Sequence, residues 1–134
     1  MDAKKTILIV EDDVFLSDMY QTKFLESGYE VRVAQDGQQG LLMLQEGLRL
    51  DMILLDIVMP KMDGIEMLTA MKKEEKLKNI PIVLLTNLGQ ESDISRGMEL
   101  GALDYFVKAH FTPSEVVRKV EALFAKIQIM NHES

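Results

Sequence analysis

Four apolar runs in this chain each end on a polar side chain, and together those side chains could carry one reaction. Ile7 to Val10 runs into Glu11, Asp12 and Asp13; Ile53 to Leu55 into Asp56; Ile82 to Leu85 into Thr86; Tyr105 to Val107 into Lys108. Carboxylates brought to one rim repel each other, so such a cluster persists only if a member takes up a proton or a cation lies between them. Oxygen ligands without His or Cys favour Mg²⁺, which keeps several waters and takes one or two carboxylates plus phosphate oxygens. Asp56, set directly after an apolar run, suits a carboxylate nucleophile held on a rigid element. Glu11 and Asp12 suit metal ligation, and the turn at Met59-Pro60 leaves the Val58 carbonyl free as a further ligand. Lys108 as a cation and Thr86 as a hydroxyl donor would supply the charge neutralisation that phosphoryl transfer requires.

These residues can converge only if the intervening chain folds as alternating strands and helices. Apolar runs without alternation, separated by segments of helical period, predict an α/β domain with a doubly wound, five-stranded parallel sheet covered by helices on both faces. Tyr29, Val31 and Val33 alternate with Glu30, Arg32 and Ala34, which suits a half-exposed edge strand. Right-handed crossovers and a 2-1-3-4-5 strand order place the first and third strands side by side, and Glu11 and Asp12 beside Asp56. In sheets of this kind ligands bind outside the carboxyl ends of the strands.

The helices have recognisable ends. Phe15, Met19, Phe24 and Leu25 suggest the buried stripe of a first helix, with Gly28 as its left-handed cap, and Asp12 or Asp13 alone reads as a cap at its start. A second helix is expected over about Gly37 to Glu46. Asp63 can cap a third, in which Ile65, Leu68 and Met71 face inward, and a fourth runs from about Glu91 to before Gly101. Thr112, Pro113, Ser114 and Glu115 form a capping box with Pro at the first helical position of a fifth helix, ahead of Val116, Val117, Val120, Leu123, Phe124 and Ile127. Met19, Met43, Met67 and Met71 lie at helical spacings and read as core filler. One domain is expected over residues 1–128, and residues 129–134 read as a C-terminal tail with frayed ends.

Composition narrows the function classes. The 134 residues include no Cys, which excludes thiolate chemistry and thiolate-held metals. A formal charge of -7 argues against a direct nucleic-acid partner, because phosphate contacts need clustered Lys and Arg. The apolar runs fall far short of the roughly 20 residues that cross a bilayer. Glu11, Asp12 and Asp13 end the first of them too early for a signal peptide, so no membrane partner and a cytoplasmic location are expected. His110 and His132 have no acidic or Cys partner at metal-ligand spacing and read as loop residues.

In order and spacing these residues resemble the receiver domain of bacterial two-component response regulators. The resemblance covers about residues 5–127 and rests on Glu11-Asp12, the D-x-x-M-P-x-x-D-G string from Asp56 to Gly64, Thr86 in L-L-T, Gly101-Ala102, Tyr105 and Lys108. It implies that Asp56 accepts a phosphoryl group from a sensor histidine kinase or histidine phosphotransfer protein. It further implies that Asp12 and Asp56 bind Mg²⁺ directly while Glu11 assists through water, and that Thr86 and Lys108 contact the phosphoryl group. The implied molecule is a signalling domain that promotes phosphorylation and dephosphorylation of its own aspartate, rather than an enzyme on other substrates. Phosphorylation would draw Thr86 toward the phosphate and let Tyr105 turn inward, altering an output face made of the fourth helix, fifth strand and fifth helix. Tyr105 taken alone suits a half-buried strand aromatic equally well. A downstream protein target or an output domain would read that face, and phosphorylation-dependent homodimerisation through it stays open, as does whether the chain stands alone or belongs to a longer regulator.

Two departures from the family carry expectations of their own. Lys is commonly followed there by a cis proline, whereas Lys108 is followed by Ala109-His110-Phe111. A non-proline cis bond costs about 3–4 kcal/mol, so two alternatives are open, a trans Lys108-Ala109 bond with a rerouted loop, slightly favoured, or a strained cis bond retained by the site. The positions two after Asp56 and two after Thr86 are the apolar Val58 and Leu88, which should limit the approach of water to a phosphorylated Asp56. Three rival readings meet these residues differently. A haloacid-dehalogenase-like phosphatase needs a second Asp where Val58 stands, and a flavodoxin-like carrier needs a phosphate-binding first loop where Glu11-Asp12-Asp13 would repel phosphate. A receiver that only docks to proteins, without phosphorylation, is favoured by the altered sequence after Lys108 and disfavoured by the intact Asp12, Asp56, Thr86 and Lys108.

Overall fold

The computed structural model describes residues 4–133. Its elements run β1 (Thr6–Val10), α1 (Val14–Glu26), β2 (Glu30–Ala34), α2 (Gly37–Gln45), β3 (Met52–Asp56), α3 (Gly64–Lys72), β4 (Ile82–Thr86), α4 (Glu91–Glu99), β5 (Asp104–Val107) and α5 (Pro113–Glu133), with a short 3-10 turn at Lys108–His110. The strands pair in the order β2-β1-β3-β4-β5, every pair parallel, as the sequence pattern predicts.

The absence of alternation in β1, β3 and β4 has a direct structural cause. Leu8, Val10, Ile53, Leu55, Ile82 and Leu84 enter one core, with Leu44, Met67, Leu68 and Met71 of α2 and α3. The residues between them, Ile7, Ile9, Met52, Leu54, Val83 and Leu85, enter a second core with Tyr20, Phe24, Val116, Val117 and Val120 of α1 and α5. Both faces of the sheet are covered, so neither set can be polar. Burying each such side chain contributes about 1.5–3 kcal/mol. At the edge, β2 keeps Glu30 and Arg32 exposed and Val31 and Val33 half-buried, as its alternation requires.

The helix ends follow their capping residues. Asp13 accepts from Leu16 N at 3.1 Å, Asp36 from Gln39 N at 2.8 Å, and Asp63 and Glu66 close a reciprocal capping box. Thr112 and Glu115 form a second box at the start of α5. Gly28 has φ +92 with open space around it, the left-handed cap expected after α1.

Three expectations are corrected. The buried face of α1 is Ser17, Tyr20 and Phe24, while Phe15, Met19 and Leu25 stand exposed. Apolar side chains occupy both sides of this helix, and the buried set takes the i, i+3, i+7 spacing with a small serine against the sheet. Met19 is therefore not core filler, although Met67 and Met71 are, and Met43 packs against the core half-buried. Finally, the backbone stays helical to Glu133 where a frayed tail from residue 129 was expected, since no Gly or Pro interrupts the chain after Pro113.

Candidate functional site

Parallel pairing brings the four polar strand ends to one edge of the sheet. Val10 pairs with Leu55 across β1 and β3, so Glu11 follows β1 beside Asp56, the last residue of β3. Asp56 pairs with Leu85 and Thr86 with Val107, which sets Thr86 and Lys108 one step farther along the same edge. This is the point where the strand order reverses. Glu11, Asp56 and Thr86 are all buried, whereas Asp12 is exposed at the mouth.

Carboxylate oxygens of Glu11, Asp12 and Asp56 all lie within 4.8 Å of one another. The Lys108 ammonium sits 2.6 Å from Glu11 Oε1 and 3.1 Å from Asp56 Oδ1. These are charge-assisted contacts, and one ammonium serves both buried oxygens. The other Glu11 oxygen, Oε2, accepts from Asp13 N at 3.1 Å. Burial, and then the negative Glu11 beside it, push the Asp56 carboxyl well above the usual carboxylate range, with Lys108 pulling the other way. Burial opposes the charge on Lys108, yet Glu11 and Asp56 outweigh it and hold the ammonium above the ordinary lysine range. Beneath the site, burial and the two carboxylates raise the Tyr20 phenol to about 12.

Backbone geometry fixes Asp56 from behind. A Cβ on Gly64 would collide with the Asp56 carbonyl oxygen, and Gly64 N donates to Ile57 O at 2.8 Å. The Asp63-Gly64 pair thus combines a helix cap with the close approach of α3 to the strand that carries Asp56. The β3–α3 loop is pinned by Gly37 N donating to Met62 O at 2.9 Å, and it holds Lys61 at φ +65.

A profile of the response regulator receiver domain matches residues 7–121. The chain belongs to the response regulator receiver family. Among curated relatives, the alkaline phosphatase synthesis transcriptional regulatory protein PhoP of Bacillus subtilis is 37% identical over 125 residues, covering 93% of this chain and 50% of that protein. The receiver chain thus spans about half the length of the curated relatives it matches. Among solved structures, the Mn²⁺-bound response regulator Rcp1 superposes with TM-score 0.80 at 32% identity, covering 90% of this chain and 94% of that one. The phosphorylated cyanobacterial phytochrome response regulator RcpA gives TM-score 0.78 at 30% identity, covering 90% and 91%.

Within the receiver, the expected site residues separate into two groups. Glu11, Asp12, Asp56 and Lys108 are brought together, and three carboxylates facing a single ammonium, with Asp12 exposed at the mouth, fit a hard divalent cation. Thr86 reaches the same rim but is engaged elsewhere: its hydroxyl lies 2.8 Å from Asn87 O and 3.0 Å from Gln90 Oε1. Tyr105 is 42% exposed, and Val58 and Leu88 at 54% and 68% stand out on the rim. No helix among the described residues is long and apolar enough to cross a membrane.

The Lys108 loop departs from the family as the sequence suggests. No cis peptide bond occurs among the described residues, and Lys108–His110 form a 3-10 turn. Phe111 then packs edge-on to Phe106 with ring centres 6.0 Å apart, and Lys119 of α5 sits 4.6 Å over the Phe111 ring. Neither this clamp nor the Gln90 contact is among the features the sequence pattern predicts. Lys119 two turns after the Thr112 box was a readable signal for the clamp, whereas the Gln90 contact depends on a side chain turning back from its helix.

Proposed function

We propose that this receiver is a phosphoacceptor whose Asp56 carboxylate takes a phosphoryl group from a phosphohistidine on a sensor histidine kinase or a phosphotransfer protein. An Asp56 oxygen forms the bond to phosphorus as the phosphorus–nitrogen bond breaks, and the departing imidazole keeps the electron pair and gains a proton. The observation that carries the reading is the convergence of the Glu11, Asp12 and Asp56 carboxylates within 4.8 Å of one another, with Lys108 as the cation in contact with Glu11 and Asp56. Asp12 and Asp56 would hold Mg²⁺ directly, with Glu11 assisting through water and the Val58 carbonyl as a further ligand. The ion supplies Lewis-acid neutralisation of the phosphoryl oxygens. Lys108, fixed on the opposite side, holds a positive charge where phosphoryl charge develops, and Thr86 donates its hydroxyl to a phosphoryl oxygen.

Beside this rim Val14, Phe15 and Met19 leave an exposed apolar face on α1, next to the start of α5, which supports docking of the protein that delivers the phosphoryl group. Movement of Thr86 and inward rotation of Tyr105 would then alter the α4–β5–α5 face that a downstream target, an output domain or a second copy reads.

Intact mass after incubation with acetyl phosphate and Mg²⁺ tests the reading, run beside Asp56→Asn and a metal-free control. One added phosphoryl group, absent in both controls, is the expected result. No adduct, together with no binding of beryllofluoride, would instead establish a docking module that works without phosphorylation.

A further inference from the structure

We propose that Gln90 is a positioning residue that holds the Thr86 hydroxyl away from Asp56 and so sets how readily a phosphoryl group is engaged. The proposal rests on the reading of Asp56 as phosphoacceptor and of Thr86 as a group that contacts the phosphoryl oxygens.

Thr86 is fully buried at the end of β4, so its hydroxyl proton must go to a protein acceptor. It has one proton and two acceptors in reach, Asn87 O at 2.8 Å and Gln90 Oε1 at 3.0 Å. The same Gln90 oxygen accepts from Asn87 N at 2.8 Å. One amide oxygen therefore ties Thr86 and Asn87, at the end of β4, to the residue that precedes α4. A phosphoryl oxygen on Asp56 can take the Thr86 proton only if both present acceptors release it.

Gln90 gives up another role to do this. It occupies the N-cap position of α4, yet its side chain makes no cap hydrogen bond to that helix and turns back to the strand end. The helix it leaves uncapped packs on the core through half-buried Ile94 and buried Gly97, which lies close against Leu84. The contact from Gln90 to Thr86 and Asn87 therefore links the site directly to the N-cap of α4, and it couples the state of Thr86 to the start of that helix. A neutral hydrogen bond contributes about 0.5–1.5 kcal/mol net, which corresponds to a two- to about twelvefold change in an equilibrium. Removing one of the two acceptors should shift the engaged state by that amount and no more.

The test compares wild type, Gln90→Met and Gln90→Glu, each with and without Thr86→Ala, by calorimetric titration with beryllofluoride in excess Mg²⁺. Met keeps the length of the stem and removes the acceptor, whereas Glu keeps the acceptor. Gln90→Met is expected to bind about three- to tenfold tighter than wild type, Gln90→Glu no tighter than wild type, and the gain should vanish in the Thr86→Ala background. Amide exchange without ligand supplies a second readout, with the Asn87 amide exchanging faster in Gln90→Met and not in Gln90→Glu. Equal affinity of Gln90→Met and wild type, or a gain that survives Thr86→Ala, would overturn the proposal while leaving the role of Asp56 standing. Failure of wild type to bind beryllofluoride at all would overturn the Asp56 reading and this proposal together.

Discussion

Lys108 Nζ stands 3.1 Å from Asp56 Oδ1, and the chain reaches that contact through a trans-bonded 3-10 turn. The position of the cation therefore does not require a proline after it. What replaces the proline is packing: Phe111 closes on Phe106, and the Lys119 ammonium covers the Phe111 ring at 4.6 Å. A cation over an aromatic face contributes about 0.5–1 kcal/mol where exposed and about 2 kcal/mol when desolvated.

Breaking that clamp should slow phosphorylation more than it destabilises the fold. Phe111→Leu and Lys119→Met are each expected to slow acetyl phosphate labelling, and a double-mutant cycle on urea unfolding should show a coupling of about 0.5–1 kcal/mol between them. Phe111→Tyr should restore labelling. Independent, additive effects of the two substitutions would show that the ring and the ammonium do not act together.

Gly64 is expected to be irreplaceable. A Cβ there meets backbone at Asp56, and backbone cannot swing aside as a side-chain tip can. Gly64→Ala should cost about 3 kcal/mol or more in unfolding free energy and abolish labelling of Asp56. Gly97→Ala is the contrast, because its new methyl meets side chains and not backbone: it overlaps the Leu84 tip, which must shift within the core, lies in ordinary contact with Ile65, and gains about 1 kcal/mol of helix propensity in partial offset. Urea titrations of the two variants should differ accordingly.

Much of this molecule was legible in its residues. Strand order, the buried runs, the caps at Asp63 and Thr112 and the convergence of Asp56 with Glu11, Asp12 and Lys108 all follow from patterns in which local chemistry and global packing agree. The α1 stripe was not legible, because Phe15 and Met19 resemble core residues and only packing shows that Ser17 and Tyr20 take the inner face. Gln90 was hidden for a different reason. A glutamine before a helix reads as solvent-facing, and nothing in its spacing shows that its amide turns back to Thr86. The helical course of residues 129–133 escaped because exposed Ile129 and Met130 give no inward-facing pattern on this domain.

The raised Asp56 carboxyl makes the metal-free protein sensitive to pH in a definite sense. In the unfolded chain this group titrates near 3.8, and in the folded protein near 7, raised first by burial and then by Glu11. Between those values the native state binds more protons than the unfolded state, so stability falls as pH rises through this window and levels off above it. Asp56→Asn carries no charge to bury and keeps Lys108 paired with Glu11. It should exceed wild type in stability at pH 8 by on the order of 2 kcal/mol, with the gap closing toward pH 4. Thermal unfolding in the presence of a chelator checks this, and a constant gap across the range would count against a titrating Asp56.

Mg²⁺ should reverse the same penalty. A ligand that binds only the folded state stabilises by about 2.7 kcal/mol at one hundred times its dissociation constant. Protons and the ion compete for the same carboxylates, so the rise in unfolding temperature on adding Mg²⁺ should be larger at pH 8 than at pH 5.5. Asp12→Asn, which removes the exposed member of the cluster without burying a new group, should lose most of that rise while changing the metal-free stability little. A full Mg²⁺ response in Asp12→Asn would remove Asp12 from the set of ligands.

Val58 and Leu88 offer a prediction about lifetime. Both stand exposed on the rim around Asp56, at 54% and 68%, so neither seals the site. Their effect must instead come from what they lack, a polar group able to hold a water in line with the phosphorus. Val58→Asn places a carboxamide at that rim without changing the buried carboxylates or Lys108. The phosphorylated variant is therefore expected to hydrolyse severalfold faster than wild type, while its rate of labelling with acetyl phosphate stays close to that of wild type. Decay of the phosphorylated mass after removal of the donor measures this directly. Slower decay in Val58→Asn than in wild type would show that the apolar side chain does not protect the acyl phosphate and that access of water is governed from elsewhere in the site.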